Sequence, residues 1–565
     1  MARDRGWSTT EKVAGWAELA RRVGVRRGTM IVGACTLAAG MLAACGTSPS
    51  ASSGSGGGQV LLVGTFHGHA GGYKTIQSAV DASRPGDWIL VAPGDYHETA
   101  DESGAAVDPS DGDMGGVLIT TSDIHLRGMD RSTVIVDGTK AGSTPCSSSP
   151  SAQNLGATGS DGSPVGRNGI LIWKADDVSV ENLTACNFLG GTGDGGNEIW
   201  WNGGDGSGTI GLKGYSGSYL TATSTYFSNQ GTPDQQEAIA AEYGIFSSNS
   251  EGPGQWNQLY ASNFNDSGMY VGACLQLCDV TIDHAWMEYN ALGYSGTNSG
   301  GALVIENSQF DNNQDGVATN TQINGDPPAP QNGACPNNGI SPITHTHSCW
   351  VFIHNDSHNN NNPNVPEAGN AAAGPIGTGM TLSGGRNDTV TDNTFSDNGA
   401  WGFLLVPYPD SGTPSLNQSC PGTGGVEEGG LGCVYDPMND AVLHNTFRHD
   451  GYFGNPSNSD YGQIVYNAGQ PQNCFAGNDA PNGSAPPNLE QTQPTCGKIT
   501  TASNTGGPLL SQVLCDTGFG ACPAGATYPQ HTGVVMHPLP QGLPTMPDPC
   551  AGVPANAWCS GGKPV

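Results

Sequence analysis

The chain has 565 residues, of which 87 are glycine and 38 are proline, and only 12% are charged. This composition argues against long helices with salt-bridged faces and favours a fold rich in short strands and turns. The formal net charge of −31 argues against nucleic acid and anionic lipid surfaces as partners, because like charges repel.

The first 44 residues differ from the rest of the chain. They hold seven of the 19 basic residues and three of the 50 acidic ones, so the remainder carries a formal charge of −35. An apolar run follows the basic residues at positions 30–44. A bilayer-spanning helix needs about 20 apolar residues, so this shorter run favours a signal peptide over the alternative of a membrane anchor helix.

The sequence Leu-Ala-Ala-Cys-Gly at positions 42–46 resembles the lipobox of bacterial lipoproteins, and a Ser/Gly-rich stretch follows it. The resemblance implies that residues 1–44 are a signal peptide, that Cys45 is lipidated, and that residues 45–58 are a flexible tether. It also implies that the protein sits on the outer face of a bacterial membrane, held there by the lipid.

Apart from Cys35 in the leader and Cys45, fourteen of the sixteen cysteines remain, an even number that suggests disulfides in an exported chain. Proximity along the sequence favours pairing between successive cysteines, although sequence alone leaves the connectivity open. The predicted pairs are Cys146–Cys186, Cys274–Cys278, Cys335–Cys349, Cys420–Cys433, Cys474–Cys496, Cys515–Cys522 and Cys550–Cys559.

The first elements after the tether are short. Residues 60–63 have strand composition, and residues 74–83 have the spacing of a helix with Ile76 and Val80 on one face. Arg-Pro-Gly-Asp at 84–87 ends that helix, and a second strand follows before the next Pro-Gly turn.

The middle of the chain repeats with a period of 23 residues, since the sequences beginning at Leu259, Ile282 and Ile305 place apolar residues at the same positions. After an insertion the pattern returns more loosely at Ile353, Val390 and Val442. This period predicts a coil whose rungs stack and hydrogen-bond to each other. The alternative, an antiparallel sandwich, gives no fixed-length self-match.

Asparagines follow several of the repeated strands. Asn312, Asn313, Asn359 and Asn398 lie in the predicted turns, and asparagine tolerates the left-handed backbone conformation that tight turns require. We therefore expect left-handed geometry at these four positions.

The segment 73–96, with Tyr-Lys-Thr-Ile-Gln-Ser-Ala-Val and Pro-Gly-Asp-Tyr, resembles the opening of right-handed parallel β-helix proteins of the pectin-lyase-like superfamily. The likeness covers residues 59–455 and implies an all-β right-handed solenoid with a short N-terminal capping helix. It also implies a protein that acts on or binds polysaccharide. The Gly-His-Gly and Arg-Ile-Lys motifs of polygalacturonases do not occur, which disfavours a standard pectinase.

The counted repeat predicts a column of chemically active side chains. If Ile282, Ile305 and Ile353 point inward, then Asp283, Glu306 and His354 point outward on successive rungs, and Tyr260 precedes them. Such a column could supply acid–base groups for glycan cleavage, with Asp283, Glu306 and His354 as catalytic residues and Tyr260 binding substrate. The alternative is a set of solvated surface side chains.

Further candidates are a carboxylate pair and an arginine. Glu288 and Asp311 share a second outward column that could hold calcium, a cation bound by oxygen ligands. Arg386 is one of few basic residues after the tether and could neutralise substrate carboxylates. Trp200 and Trp201 could either stack on sugar rings or line the interior.

Two functions remain open from the sequence. One is a surface-anchored lyase, hydrolase or epimerase acting on polysaccharide, and the other is a non-catalytic glycan-binding or structural protein of the cell surface. The region 456–565 is rich in proline, glycine and cysteine and is expected to form disulfide-pinned loops that cap the coil. We expect a monomer without nucleic-acid partners.

Overall fold

A computed structural model describes residues 58–99, 114–160, 162–204, 209–274, 277–321, 331–368, 371–410, 420, 425–428, 432–500, 503–504 and 507–565. The predicted signal peptide, Cys45 and nearly all of the tether lie outside these residues. Among the described residues, no helix is both long enough and apolar enough to cross a membrane.

The N-terminal helix spans Ile76–Ala82 and buries Ile76, Ala79 and Val80, as predicted. Thr75 caps it, since the Thr75 hydroxyl accepts a hydrogen bond from the Ser78 N–H. The Glu98 carboxyl accepts hydrogen bonds from the N–H groups of Ile76 and Gln77 in the first turn. The buried face of the helix packs against the core of the coil.

Most of the chain forms two long parallel sheets. Among the described residues, the first sheet has 18 strands. In chain order these are Val60–Val63, Trp88–Val91, Gly94–Tyr96, His125–Gly128, Val134–Asp137, Val178–Cys186, Leu212–Thr223, Ser250–Ser262, Leu277–Glu288, Gly301–Glu306, Gln309–Asp311, Trp350–Ile353, Asp356–His358, Asp388–Thr391, Thr394–Ser396, Ala441–Leu443, Thr446–Arg448 and Cys474–Ala476.

The second sheet has 11 strands within the described ranges. They are Gly115–Ile119, Asn168–Trp173, Asn197–Asn202, Tyr243–Ser248, Ser267–Gly272, Leu292–Thr297, Asp315–Asn320, Thr378–Ser383, Trp401–Val406, Ser459–Gln463 and Ser484–Ala485. The chain alternates between the sheets once per turn, and strands of successive turns pair in parallel. The protein is therefore a parallel β-helix, which confirms the predicted fold class. Its rungs continue beyond residue 455.

In each rung, the first sheet bends at one residue, which divides the sheet into two arms. Arm 1 holds the residues before the bend, such as 178–181, 280–283 and Gly301–Glu306. Arm 2 holds those after it, such as 183–186, 285–288 and Gln309–Asp311. The residues at the bend have positive φ angles, among them Asn182 (57°), His284 (55°), Asn307 (50°) and His354 (57°).

Two stacks of buried amides run inside the coil, one behind the bend and one behind the end of arm 2. In the first, the N–H of Asn355 donates to Oδ1 of Asn393 (2.9 Å), whose own N–H donates to Oδ1 of Asn445 (3.0 Å). In the second, Asn313, Asn360 and Asn398 repeat the pattern.

These stacks correct part of the turn prediction. Asn312 and Asn359 do have left-handed geometry, with φ of 57° and 55°. Asn313 and Asn398 instead point inward and hydrogen-bond to the neighbouring rungs. Their side chains satisfy buried backbone groups that a turn leaves without partners.

The remaining elements are short. Helices span Pro233–Glu237, Leu489–Thr492 and Pro508–Asp516, and 3₁₀ turns span Pro150–Ala152, Pro336–Asn338 and Ala371–Ala373. Small antiparallel sheets join Thr65–Phe66 with His69–Ala70, Gly432–Tyr435 with Tyr408–Asp410 and Gly425–Glu428, and Cys559–Ser560 with Lys563–Pro564. All seven predicted disulfides are formed. Such a set is typical of proteins that fold outside the cytosol.

Residues 531–558, here called the strap, run back along the coil towards its N-terminal end. Three hydrogen bonds hold it there. The N–H of Thr532 donates to Oδ1 of Asn364, and the N–H of His537 donates to Oδ1 of Asn263. The Thr545 hydroxyl donates to Oδ1 of Asn182. The Trp558 indole N–H donates to the carbonyl of His69 (2.9 Å). The strap therefore crosses arm 2 and reaches the first rungs.

Candidate functional site

The predicted catalytic column forms only in part. Asp283 and Glu306 are paired on adjacent strands, as predicted. The residue paired with Glu306 is Ile353, not His354, and His354 lies exposed at the bend. The insertion before Trp350 changes the register by one residue, and a one-residue slip moves a side chain to another position on the coil.

Tyr260 is not in this column either. Asp283 is paired with Asn257, whereas Tyr260 is paired with Trp286 on arm 2. The repeat between these two strands is therefore longer than the counted 23 residues. Asp283 accepts hydrogen bonds from the side-chain amides of Asn257 (3.0 Å) and Asn307 (2.9 Å) and contacts Nδ1 of His284 at 2.6 Å.

Arg386 is placed where a substrate does not reach. It is only 3% exposed and lies near the buried carboxyls of Asp388 and Asp440. Burial lowers the pKa of Arg386 to about 10. This position favours a role in balancing buried acidic charge over the predicted contact with a substrate.

Glu288 and Asp311 are paired on arm 2, as the second column required. The Tyr260 hydroxyl donates to Oε1 of Glu288 (2.7 Å), and the Trp286 indole N–H donates to Oδ1 of Asp311 (2.8 Å). Burial raises the pKa of Glu288 to about 7.

The surroundings of this pair do not favour the predicted calcium site. Asp311 also accepts amide hydrogen bonds from Gln309 and Asn312, so donors face both of its oxygens. Calcium needs several free oxygen ligands. Among the described residues, the triads with metal-ligand spacing include neither Glu288 nor Asp311.

An open cavity of about 480 Å³ lies on the outer face of arm 1. Its lining includes His125, Ser179, Gln255 and Thr281. Thr281 lies two residues before Asp283 on the same strand, so the cavity adjoins the Asp283–Glu306 pair. The lining offers hydroxyl and amide groups suited to hydrogen-bonding a polar ligand.

The outer face of the second sheet carries an aromatic row of which the sequence reasoning named only Trp200, whereas Trp201 lies in the core. Ile199, Ile245 and Met269 point into the core, and the residues that follow them, Trp200, Phe246 and Tyr270, point outward. Trp200 and Phe246 stack with ring centres 4.9 Å apart and planes 11° apart. Phe246 meets Tyr270 edge to face at 4.9 Å.

Two carboxyls border this aromatic row. Glu242 and Asp266 occupy equivalent positions just before consecutive strands, and the N–H of Asp266 donates to the carbonyl of Glu242 (3.2 Å). Tyr243, next to Glu242, stacks on Phe246 at 4.4 Å and hydrogen-bonds the Asp266 side chain. We call Glu242, Tyr243, Asp266, Phe246 and Tyr270 the acidic–aromatic cluster.

The two carboxyls have different proton affinities. Burial raises the pKa of Asp266 to about 6, while hydrogen bonds from Tyr243, Ser267 and Ser295 act in the opposite direction. Burial raises the pKa of Glu242 well above its ordinary value, and the negative charges of Asp194 and Asp266 raise it further. Burial thus raises the pKa of both carboxyls, while side-chain hydrogen bonds oppose the rise only at Asp266.

Accessibility is compatible with a ligand site. Glu242, Tyr243 and Asp266 each keep some exposed surface although their acidic groups lie deep among other atoms. A carboxylic acid next to a carboxylate is the pair required for acid–base cleavage of a glycosidic bond. Aromatic rings beside it offer apolar faces on which sugar rings stack.

The sequence did contain a signal for this cluster. In four consecutive rungs of the second sheet, the first strand residue is followed by a glycine, at Tyr243-Gly244, Ser267-Gly268, Leu292-Gly293 and Asp315-Gly316. The glycine is required because a Cβ at Gly244 would lie 2.4 Å from the carbonyl oxygen of Gly268. Aligning these glycines would have placed Glu242 and Asp266 side by side.

No protein-family model and no curated protein matches the sequence. Solved structures with similar folds include the mannuronan C-5 epimerase AlgE4 A-module of Azotobacter vinelandii (14% identity, 76% of this chain and 95% of that chain, TM-score 0.41). A mannuronic acid-specific polysaccharide family 6 lyase from human gut microbiota has 12% identity, 74% and 80% coverage and a TM-score of 0.38. An alginate lyase from Paenibacillus sp. has 10% identity, 76% and 96% coverage and a TM-score of 0.33. Since these TM-scores are below 0.5, no conclusion about activity rests on them.

Proposed function

We propose that this protein is an exported glycoside hydrolase that cleaves a neutral polysaccharide on the outer face of the second sheet. The proposal rests on one observation: Glu242 and Asp266 lie on consecutive rungs, with their pKa values raised to different extents, beside the ring of Tyr243. Two carboxyls in different protonation states can act as acid and base at the same pH.

In the proposed reaction, Glu242 donates its proton to the oxygen of the leaving sugar as the bond from that oxygen to the anomeric carbon breaks. Asp266 accepts a proton from the water molecule whose oxygen forms the new bond to the anomeric carbon. Tyr243 donates a hydrogen bond to Asp266 and orients its carboxylate. Phe246 and Tyr270 provide rigid apolar surface next to the sugar ring.

Charge favours a neutral glycan over a polyuronate. The charged neighbours that raise the pKa of Glu242 are Asp194 and Asp266, both acidic. A uronic acid placed there would meet repulsion in addition to that of the net charge of −31. This favours hydrolysis over lyase or epimerase chemistry, which acts on uronic acids.

The experiment is release of reducing ends from a panel of neutral and acidic glycans. Glu242→Gln and Asp266→Asn should each lower kcat by about 100-fold or more, the usual loss when a general acid or base is removed. Glu251→Gln is the matched control, because Glu251 pairs with Lys213 away from the cluster. Release that is lost in Glu306→Gln but retained in Glu242→Gln would instead place the site at the Asp283–Glu306 pair.

A non-catalytic glycan-binding protein is the second candidate, and the stacked row of Trp200, Phe246 and Tyr243 favours it. Glycan binding without any release of reducing ends, weakened in Phe246→Ala, would support this function over hydrolysis. In both cases we propose that the protein is exported and held to the outer membrane face by a lipid on Cys45.

A further inference from the structure

A polar cluster unrelated to the acidic–aromatic cluster lies on the first rungs of arm 2. Asp95 belongs to the strand Gly94–Tyr96, and Asp137 ends the neighbouring strand Val134–Asp137. Asp95, His97 and Asp137 each offer one ligand atom, and these three atoms lie within 4.8 Å of one another.

The hydrogen bonds of His97 fix its tautomer. Nδ1 of His97 lies 2.7 Å from the carbonyl oxygen of Thr139, and a carbonyl oxygen only accepts, so Nδ1 carries a proton. Nε2 of His97 lies 3.1 Å from Oδ2 of Asp95. In a neutral imidazole, the Nε2 lone pair therefore faces a carboxylate oxygen, an arrangement that needs a positive charge between the two atoms.

Two further oxygens at the cluster lack hydrogen-bond partners. They are Oδ1 of Asp95 and the hydroxyl of Thr139, which is only 1% exposed. Thr139 is held at the cluster, because its N–H donates to Asp137 (2.7 Å) and its carbonyl oxygen accepts from His97. A buried hydroxyl without a partner costs about 1–3 kcal/mol, so its presence requires an explanation.

The charges at the cluster are also unbalanced. Asp137 is fully buried and its carboxyl faces that of Asp95. Its two oxygens each accept one backbone N–H, from Thr139 and from Cys146 (2.7 Å each), and each keeps a second lone pair. The two carboxyls face a single imidazole. Burying carboxylates this close together is costly unless a shared proton or a cation lies between them.

We propose that Asp95, His97 and Asp137 bind a divalent transition-metal ion, with the Thr139 hydroxyl as a further oxygen ligand. The donor set of one imidazole and carboxylate oxygens suits Zn²⁺ or Mn²⁺ better than Ca²⁺, which prefers oxygen alone. A metal-bound histidine commonly donates its other N–H to a backbone carbonyl, as His97 does to Thr139.

One member of the cluster, His97, borders an opening. An opening of about 230 Å³ beside the N-terminal helix is lined by residues that include Gln77, Asp81 and His97. Metal binding here would join the strands Gly94–Tyr96 and Val134–Asp137, so it would stabilise the first rungs of the coil. The ion would therefore be structural.

The test is calorimetric titration of the EDTA-treated full-length protein with Zn²⁺, Mn²⁺ and Ca²⁺ separately. One tight site for Zn²⁺ or Mn²⁺ is expected, and His97→Gln and Asp95→Asn should each weaken it by about tenfold or more. The matched control is His449→Gln, since His449 forms an exposed pair with Asp397 at 2.8 Å and, among the described residues, belongs to no triad with metal-ligand spacing. That variant should bind the ion as the unaltered protein does.

A second measurement covers variants that fail to fold. The melting temperature of the unaltered protein should rise on addition of Zn²⁺ or Mn²⁺, and Thr139→Val, which removes only the hydroxyl oxygen, should reduce this rise. Absence of Zn²⁺ or Mn²⁺ binding in the titration would overturn the proposal, as would an affinity in His97→Gln equal to that of the unaltered protein. Either result would leave only the His97–Asp95 hydrogen bond. Binding of Ca²⁺ alone would overturn it as well.

Discussion

Burial raises the pKa values of Glu242 and Asp266. Their difference arises from hydrogen bonding, because Asp266 accepts from Tyr243, Ser267 and Ser295, which stabilises its ionised form, whereas the charges acting on Glu242 are negative. Two carboxyls at equivalent positions of adjacent rungs thus have different surroundings. A repeat fold can provide an acid and a base by varying only the residues around them.

This difference predicts the pH dependence of glycan cleavage. Asp266, with its pKa raised to about 6, must lose its proton to act as the base, so the rate should rise with pH through about 6. The rate should fall again where Glu242, whose pKa burial raises well above its ordinary value, loses the proton that it donates. The measurement is kcat/KM on the cleaved glycan from pH 4 to 9, and a rate that does not change across this range would contradict both roles.

At the scale of elements, the strands and turns explain which site predictions succeeded. Asp283 was correctly matched with Glu306, and Glu288 with Asp311, because no insertion interrupts those rungs. The match to His354 failed because the insertion before Trp350 moves the pairing by one residue. Local periodicity therefore predicts neighbours within uninterrupted rungs, whereas register across an insertion depends on loop geometry that composition does not encode.

The acidic–aromatic cluster was missed for a related reason. Glu242 and Asp266 precede their strands and lie outside the apolar repeat that was counted on the first sheet. Their burial depends on loops from other rungs, so neither residue differs in sequence from a solvated acidic residue. The fold class and the disulfide pairs, by contrast, follow from local spacing and were predicted correctly.

The amide stacks make a prediction about stability. Asn393→Ala should lower the free energy of unfolding by about 1–3 kcal/mol, since the Asn393 amide donates to the Phe352 carbonyl (2.9 Å) and accepts from the Asn355 N–H. Denaturant unfolding followed by circular dichroism measures the change. Asn359→Gly is the control, because Asn359 is exposed with φ of 55°, which glycine tolerates, and should change stability by less than about 0.5 kcal/mol. Equal losses in both variants would mean that the buried stack adds nothing.

At the scale of the whole molecule, the coil offers separate surfaces for separate tasks. The acidic–aromatic cluster lies on the second sheet, the cavity on arm 1, and the Asp95–His97–Asp137 cluster on the first rungs of arm 2. Because the rungs stack rigidly, these surfaces keep fixed positions relative to each other. The first rungs, which follow the tether, would lie nearest to the membrane in an anchored protein.

The proposed anchor makes a prediction about location. Cys45→Ser should move the protein from the membrane fraction to the soluble fraction, since the thiol is the attachment point of the lipid. Cell fractionation with labelled fatty acid measures both attachment and location, and Cys35→Ser is the control within the leader. A Cys45→Ser protein that stays in the membrane fraction would favour the anchor-helix interpretation of residues 30–44.

The C-terminal end of the strap covers apolar side chains of the first rungs. Trp558 and the Cys550–Cys559 region pack against Phe66, Leu90 and Met129 of the earliest rungs. Proteolytic cleavage before Cys550, followed by loss of the segment, would expose the apolar side chains of Phe66, Leu90 and Met129. A cleaved copy would therefore expose an apolar surface and tend to self-associate.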